Sequence, residues 1–211
     1  MSVLGVTGVT LDARGYLRDF VASLENIRAR WRPVKGQEAK EISFAEGVER
    51  VLTLLAGVKK SGASLMFIGN GGSAAIASHQ VADFTKIGIR ALAPLDPSLL
   101  TCFANDFGYE NAFANVIKVS GKRGDVLFAI SSSGESRNIL NAVAVAKEKK
   151  MAVVTLSGFN ESNPLRKMGE INFYVPSSSY RCVESAHLFI FNCILDFFLA
   201  VTNYRPAPIW S

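Results

Sequence analysis

An α/β fold built on a parallel sheet is the class this sequence predicts, and three observations predict it. Short apolar runs of strand length alternate with amphipathic segments of helix length. The run at 125–130 is almost continuously apolar, the pattern of a strand covered on both faces. Two apolar runs end in small-residue turns that open into helical patterns. One is Phe67-Ile68-Gly69-Asn70-Gly71-Gly72-Ser73, and the other is Ile130-Ser131-Ser132-Ser133-Gly134-Glu135-Ser136. Strand, turn and helix in that order imply βαβ units, with ligands at the carboxyl ends of the strands.

Taken in order, the elements begin with two helices ahead of any strand. Leu17, Phe20, Val21, Leu24 and Ile27 recur at helical spacing, which predicts a helix over 12–31. Residues 33–40 form a polar break. A second helix follows over 43–61, with Val48, Val51, Leu52, Leu55 and Val58 on one face and a capping box from Ser43 and Glu46. Strands are expected at 64–68, 91–95, 125–130, 152–157 and 171–175. Helices are expected at 74–87, 98–105, 136–150 and 181–203, with a short one at 163–168. The tail Arg205-Pro206-Ala207-Pro208 cannot continue a helix. The apolar faces of the two leading helices need a partner, and a second subunit is an economical one.

The chain has 211 residues, of which 49% are hydrophobic and 19% charged, enough for one domain with a substantial core. The net charge is +5. Its basic residues are scattered without interleaved aromatics, as in Arg28, Arg30 and Arg32. That pattern fits solvated faces and a mild attraction for anions, not a nucleic-acid surface. Cys102, Cys182 and Cys193 are odd in number and lack C-x-x-C spacing, as expected of small buried residues in a reducing compartment. The start lacks the basic-then-apolar pattern of a secretory signal. The apolar run 188–201 is interrupted by Asn192 and Asp196, which suits a buried helix and not a membrane span. A cytoplasmic protein with neither membrane nor nucleic-acid partner is expected.

The two small-residue turns read together as a phosphate cradle. A helix start carries unpaired N–H groups and the positive end of the macrodipole, a natural seat for an anion. Gly71 and Gly72 allow close backbone approach, and Ser131, Ser132, Ser133 and Ser136 add donors without charge. Taken singly, the glycines suit any tight turn, and the serines suit an N-cap with a flexible loop. No Gly-x-x-x-x-Gly-Lys-Ser/Thr motif accompanies them, so a phosphorylated small molecule fits better than a nucleotide. Other polar groups need explaining. His79 and Asp83 are four apart on one helix, and Glu184 and His187 are three apart on another, each pair on one helical face. Such pairs suit a metal or acid–base chemistry, or equally a hydrogen bond at the surface. Asn105 and Asp106 lie in a stretch that either closes a helix or binds sugar hydroxyls. Arg181 suits a phosphate or an acidic neighbour.

These residues resemble the sugar isomerase (SIS) domain proteins and, among them, the phosphoheptose isomerases. The resemblance runs from about 67 to 199. Its pieces are Gly69-Asn70-Gly71-Gly72-Ser73, Asp96-Pro97-Ser98, Asn105-Asp106-Phe107-Gly108-Tyr109, the serine turn 131–136, and Glu184-Ser185-Ala186-His187-Leu188. It implies a flavodoxin-like three-layer αβα sandwich: one SIS domain over 1–211, with a helical extension at 1–62 and an α/β core at 63–204. It also implies a homotetramer with sites between subunits. The implied activity converts sedoheptulose 7-phosphate to a D-glycero-heptose 7-phosphate for lipopolysaccharide or capsule heptose.

By the same resemblance, Asn70, Gly71, Gly72, Ser73, Asn105, Asp106, Ser131, Ser132, Ser133 and Ser136 bind the substrate. His79, Asp83 and Glu184 stand at family zinc-ligand positions. Asp83 replaces a Glu, Glu184 replaces a Gln, and Asn192 falls where a catalytic His is expected. Zinc is therefore expected to be weakly held or absent. Aldose–ketose isomerisation needs a base beside the carbonyl and an acid for the enediolate. Asp83 is the expected base, Glu184 its partner, and His187 a reserve. The alternative is a binding or regulatory protein that keeps the cradle and has lost the chemistry.

Overall fold

A computed structural model of the chain describes residues 12–33 and 38–202; the Pro-rich tail lies outside them. Seven strands form one sheet in the order β2-β1-β7-β6-β5-β3-β4. They are β1 (Arg28–Trp31), β2 (Lys40–Ile42), β3 (Ser64–Ile68), β4 (Arg90–Leu92), β5 (Val126–Ser131), β6 (Ala152–Ser157) and β7 (Ile171–Tyr174). Strands β7, β6, β5, β3 and β4 are parallel, while β1 pairs antiparallel with both β7 and β2. The expected parallel sheet is therefore a mixed one with an antiparallel edge.

Among the described residues seven helices surround the sheet: α1 (Ala13–Glu25), α2 (Phe44–Ser61), α3 (Gly72–Lys86), α4 (Pro97–Phe107), α5 (Ala112–Ser120), α6 (Arg137–Glu148) and α7 (Tyr180–Thr202). Alternation along the fully buried strands divides the core in two. In β3, Leu65 and Phe67 face the layer of α2, α3 and α7, whereas Met66 and Ile68 face α5 and α6. The first layer is centred on Phe67, whose ring lies 5.0 Å from Phe128, 5.7 Å from Phe84 and 5.8 Å from Phe191.

The N-terminal region departs from the reading of two plain helices. The first helix ends at Glu25, where the Asn26 N–H turns back to Ala22 O, and 28–31 is a strand. The apolar spacing ran on through Ile27, but Arg-Ala-Arg-Trp has period two, and Ala29 is buried against the sheet. β2 falls inside the expected polar break. Besides α1 and α2, this stretch thus supplies two strands to the sheet, β1 and β2. A buried guanidinium fastens this edge. Arg166 Nη2 lies 2.6 Å from Glu41 Oε1, Nη1 lies 2.9 Å from Glu161 Oε1, and the group stacks over Tyr174 at 4.5 Å.

Three further elements differ from expectation. α5 fills a stretch for which no element was expected, the strand at 91–95 shortens to β4, and 163–168 holds only a 3-10 turn, Leu165–Lys167. α2 begins as expected: Ser43 and Glu46 form the capping box. α7 matches the helix expected at 181–203, and at 23 residues it would by length and composition alone cross a membrane. It buries Val183, Ala186, Ile190, Phe191, Ile194 and Phe198 in the first core layer, which is the role of a core helix.

Candidate active site

The strand order places the site. From β3 the chain steps outward to β4, then returns past β3 to β5, β6 and β7, so the direction of winding reverses between β3 and β5. In an open α/β sheet the crevice at the carboxyl ends of such a strand pair is where ligands bind. The glycine turn follows β3 and the serine turn follows β5, so the two stand side by side at that crevice.

Each turn delivers an open helix end. Gly71, at φ +54°, is the N-cap of α3 and offers no side-chain cap, and Ser136 caps α6 without a side-chain bond to its backbone. By contrast α1, α2 and α4 are closed by Asp12, Ser43 and Asp96. Gly72 N on α3 and Arg137 N and Asn138 N on α6 have no partner among the described residues and are left for an anion. In the serine turn, Ser131 Oγ lies 3.3 Å from Ser136 Oγ and accepts from Gly134 N at 3.2 Å, while Ser133 Oγ accepts from Glu135 N at 3.2 Å. Gly134 is required here: its φ is +66°, and a Cβ would run into the Asn163 side chain. Ser73 is buried at the start of α3, and Ser132 is buried with Oγ unpartnered among the described residues.

A pair of amides ties the two turns together. Asn70 Nδ2 donates to Asn138 Oδ1 at 3.0 Å, and Asn138 Nδ2 donates back to Asn70 Oδ1 at 2.8 Å. Tyr109 Oη also donates to Asn70 Oδ1, at 2.8 Å. The sequence reading missed Asn138 and assigned Tyr109 no contact. Asn138 resembles any polar residue in a first helical turn, and only the β3–β5 adjacency puts it beside Asn70.

The other candidates divide into three places. Glu184 is half-buried at the start of α7 with its carboxylate over Gly72, where a Cβ would come within 2.5 Å of it. It is therefore at the cradle. His79 and Asp83 form their own pair, Nε2 to Oδ2 3.1 Å, on α3. Eleven residues separate Asp83 from Gly72, which is about 16 Å along the helix axis. Asn105 and Asp106 are exposed in the last turn of α4, bonded to one another at 3.0 Å, and Gly108 closes that helix at φ +81°.

His187 requires a correction. It is fully buried, with Nε2 3.3 Å from Ser157 O and Nδ1 without a partner among the described residues. Burial pushes its pKa down to about 4, and the Ser157 carbonyl offsets this only in part. A neutral imidazole inside the core does not touch a ligand in the crevice, so it is not a reserve acid or base.

The SIS-domain family profile matches residues 24–158 of this chain. The phosphoheptose isomerase of Proteus mirabilis is 34% identical over 158 residues, covering 72% of this chain and 82% of that protein. The one from Tolumonas auensis is 31% identical over 192 residues, covering 88% and 90%. The chain belongs to the phosphoheptose isomerase family of SIS-domain proteins. Among solved structures, phosphoheptose isomerase GmhA from Neisseria gonorrhoeae superposes with a TM-score of 0.77 at 25% identity, over 89% of this chain and 96% of that one. A phosphoheptose isomerase from Francisella tularensis shares the fold, with a TM-score of 0.75 at 23% identity over 88% and 95%.

Among the described residues of this phosphoheptose isomerase homologue, the zinc donors implied by the family resemblance form no cluster of three. His79 and Asp83 pair, Glu184 lies elsewhere, and no three His, Cys, Asp or Glu side chains cluster among the described residues. Asn192, exposed on α7, offers an amide in place of an imidazole.

Proposed function

We propose that this protein interconverts sedoheptulose 7-phosphate and a D-glycero-heptose 7-phosphate, in the cytoplasm, for lipopolysaccharide or capsule heptose. The observation that carries the reading is the pair of uncapped helix starts joined through Asn70 and Asn138 at the sheet's switch point, in a member of this family. The phosphate sits on the N–H groups of α3 and α6 among neutral serine hydroxyls. Asp83, oriented by His79, takes a proton from the carbon beside the carbonyl, and that proton is returned to the neighbouring carbon. Glu184 at the cradle gives a proton to the former carbonyl oxygen of the enediolate and takes the hydroxyl proton from the neighbouring oxygen, so the substrate neither gains nor loses a proton overall. A panel of ketose 7-, 6- and 5-phosphates followed by NMR tests this. Aldose formation from the heptulose phosphate is expected, and turnover should survive a chelator in protein carrying far less than one zinc per chain. Tight binding without turnover of any ketose phosphate would hand the case to a binding or regulatory role.

The working unit of this reading is a homo-oligomer, a tetramer by family resemblance. Asp83 lies further from the cradle of its own chain than a seven-carbon sugar phosphate reaches, so its partner cradle belongs to another copy. The surface supports that. α4 buries none of its residues, Leu17 and Val21 on α1 are 59% and 41% exposed, and Phe197 and Val201 on α7 are 52% and 65% exposed. Removing residues before Asn26 deletes α1 and keeps β1 in the sheet, and it should lower the assembly state. A monomeric intact chain at micromolar concentration, by light scattering, would contradict this reading.

A further inference from the structure

The turn at 108–111 stands beside the cradle and is fixed from two sides. On α6, Asn141 Nδ2 donates to Glu110 O at 2.9 Å and to Asn111 Oδ1 at 3.2 Å. On the other side Tyr109 reaches the glycine turn, 2.8 Å from Asn70 Oδ1. The surrounding network settles which atom donates. Ile139 N donates to Asn138 Oδ1 at 3.0 Å, which orients that amide so that its Nδ2 faces Asn70. Asn70 Oδ1 therefore points at Asn138 Nδ2 and at Tyr109, and a carbonyl oxygen only accepts. The phenol is the donor.

A hydroxyl has one proton and two lone pairs. With its proton committed to Asn70, Tyr109 offers only lone pairs to any other group. It is 50% exposed, so a ligand reaches it. This polarity is opposite to that of the cradle, whose helix starts and serines offer donors. A phosphate oxygen is satisfied by the cradle and rejected by Tyr109, whereas a sugar hydroxyl donates to Tyr109.

We propose that Tyr109 is a specificity-determining residue, accepting a hydrogen bond from a hydroxyl of the sugar whose phosphate occupies the serine turn. The inference rests on the phosphosugar reading of the cradle. Tyr109→Phe keeps the ring and removes the acceptor, and calorimetry with two probes separates the possibilities. For inorganic phosphate, which needs only the cradle, the affinity should be unchanged. For sedoheptulose 7-phosphate it should fall about three- to tenfold, the effect of one hydrogen bond. Unchanged affinity for both probes overturns the proposal. So does an equal loss for both, because the hydroxyl would then merely hold Asn70 in place. Failure of the unaltered protein to bind the sugar phosphate overturns the phosphosugar reading itself, and the role of Tyr109 with it. A melting curve of the variant confirms that the half-exposed position tolerates Phe.

Discussion

Replacing Asp83 with Asn should lower kcat by about 10²–10⁴ while leaving the affinity for inorganic phosphate unchanged. The amide keeps the size of the carboxylate and its bond to His79 Nε2, now 3.1 Å from Oδ2, but it cannot take a proton. General-base catalysis contributes factors of this size. Inorganic phosphate needs only the helix starts and the serine turn, to which Asp83 contributes no group, so its binding should not register the change. Turnover within tenfold of the unaltered protein would show that the proton is taken elsewhere, and Glu184 at Gly72 would then be the group to replace. The longer Asp83→Glu side chain restores the carboxylate and should recover part of the activity.

Much of the fold was legible because the signals were local. β3 and β6 lie where their apolar runs put them, and the Ser43–Glu46 capping box marked the start of α2. The misreadings arose where long-range pairing decided the outcome. Arg28–Trp31 is a strand because β7 offers an open edge, and Ile27 continued the helical spacing of α1 into it. β2, with only Lys40, Glu41 and Ile42, has no apolar pattern to read and is held by β1 and by Arg166. His187 shows the limit for side chains. Helical spacing put it near Glu184, yet the step of three residues carries it from the crevice into the core. The phosphate cradle was readable from its glycines and serines, but the Asn70–Asn138–Tyr109 link joins three segments distant in sequence and has no local signature.

Replacing both Ser133 and Ser136 with Ala should weaken sugar-phosphate binding by about a hundredfold or more. Each hydroxyl lies in the turn that opens α6, and each lost hydrogen bond to a charged phosphate is worth about 1.5–3 kcal/mol. The backbone N–H groups and the helix dipole remain, so binding is reduced and not abolished. Fold stability should change little, because Ser136 does not cap α6 with its side chain and Ser133 bonds only within its own turn. Calorimetry that finds the affinity unchanged would remove the phosphate from the serine turn. The same variant tests the division of labour between copies. The double serine variant lacks a good cradle and keeps Asp83, whereas Asp83→Asn keeps the cradle and lacks the base. If each site combines the cradle of one chain with Asp83 of another, co-assembling two weak variants regenerates some intact sites, and activity should rise above the sum of the two alone. If base and cradle of one chain served each other, every site in the mixture would carry one defect and the activity would simply add.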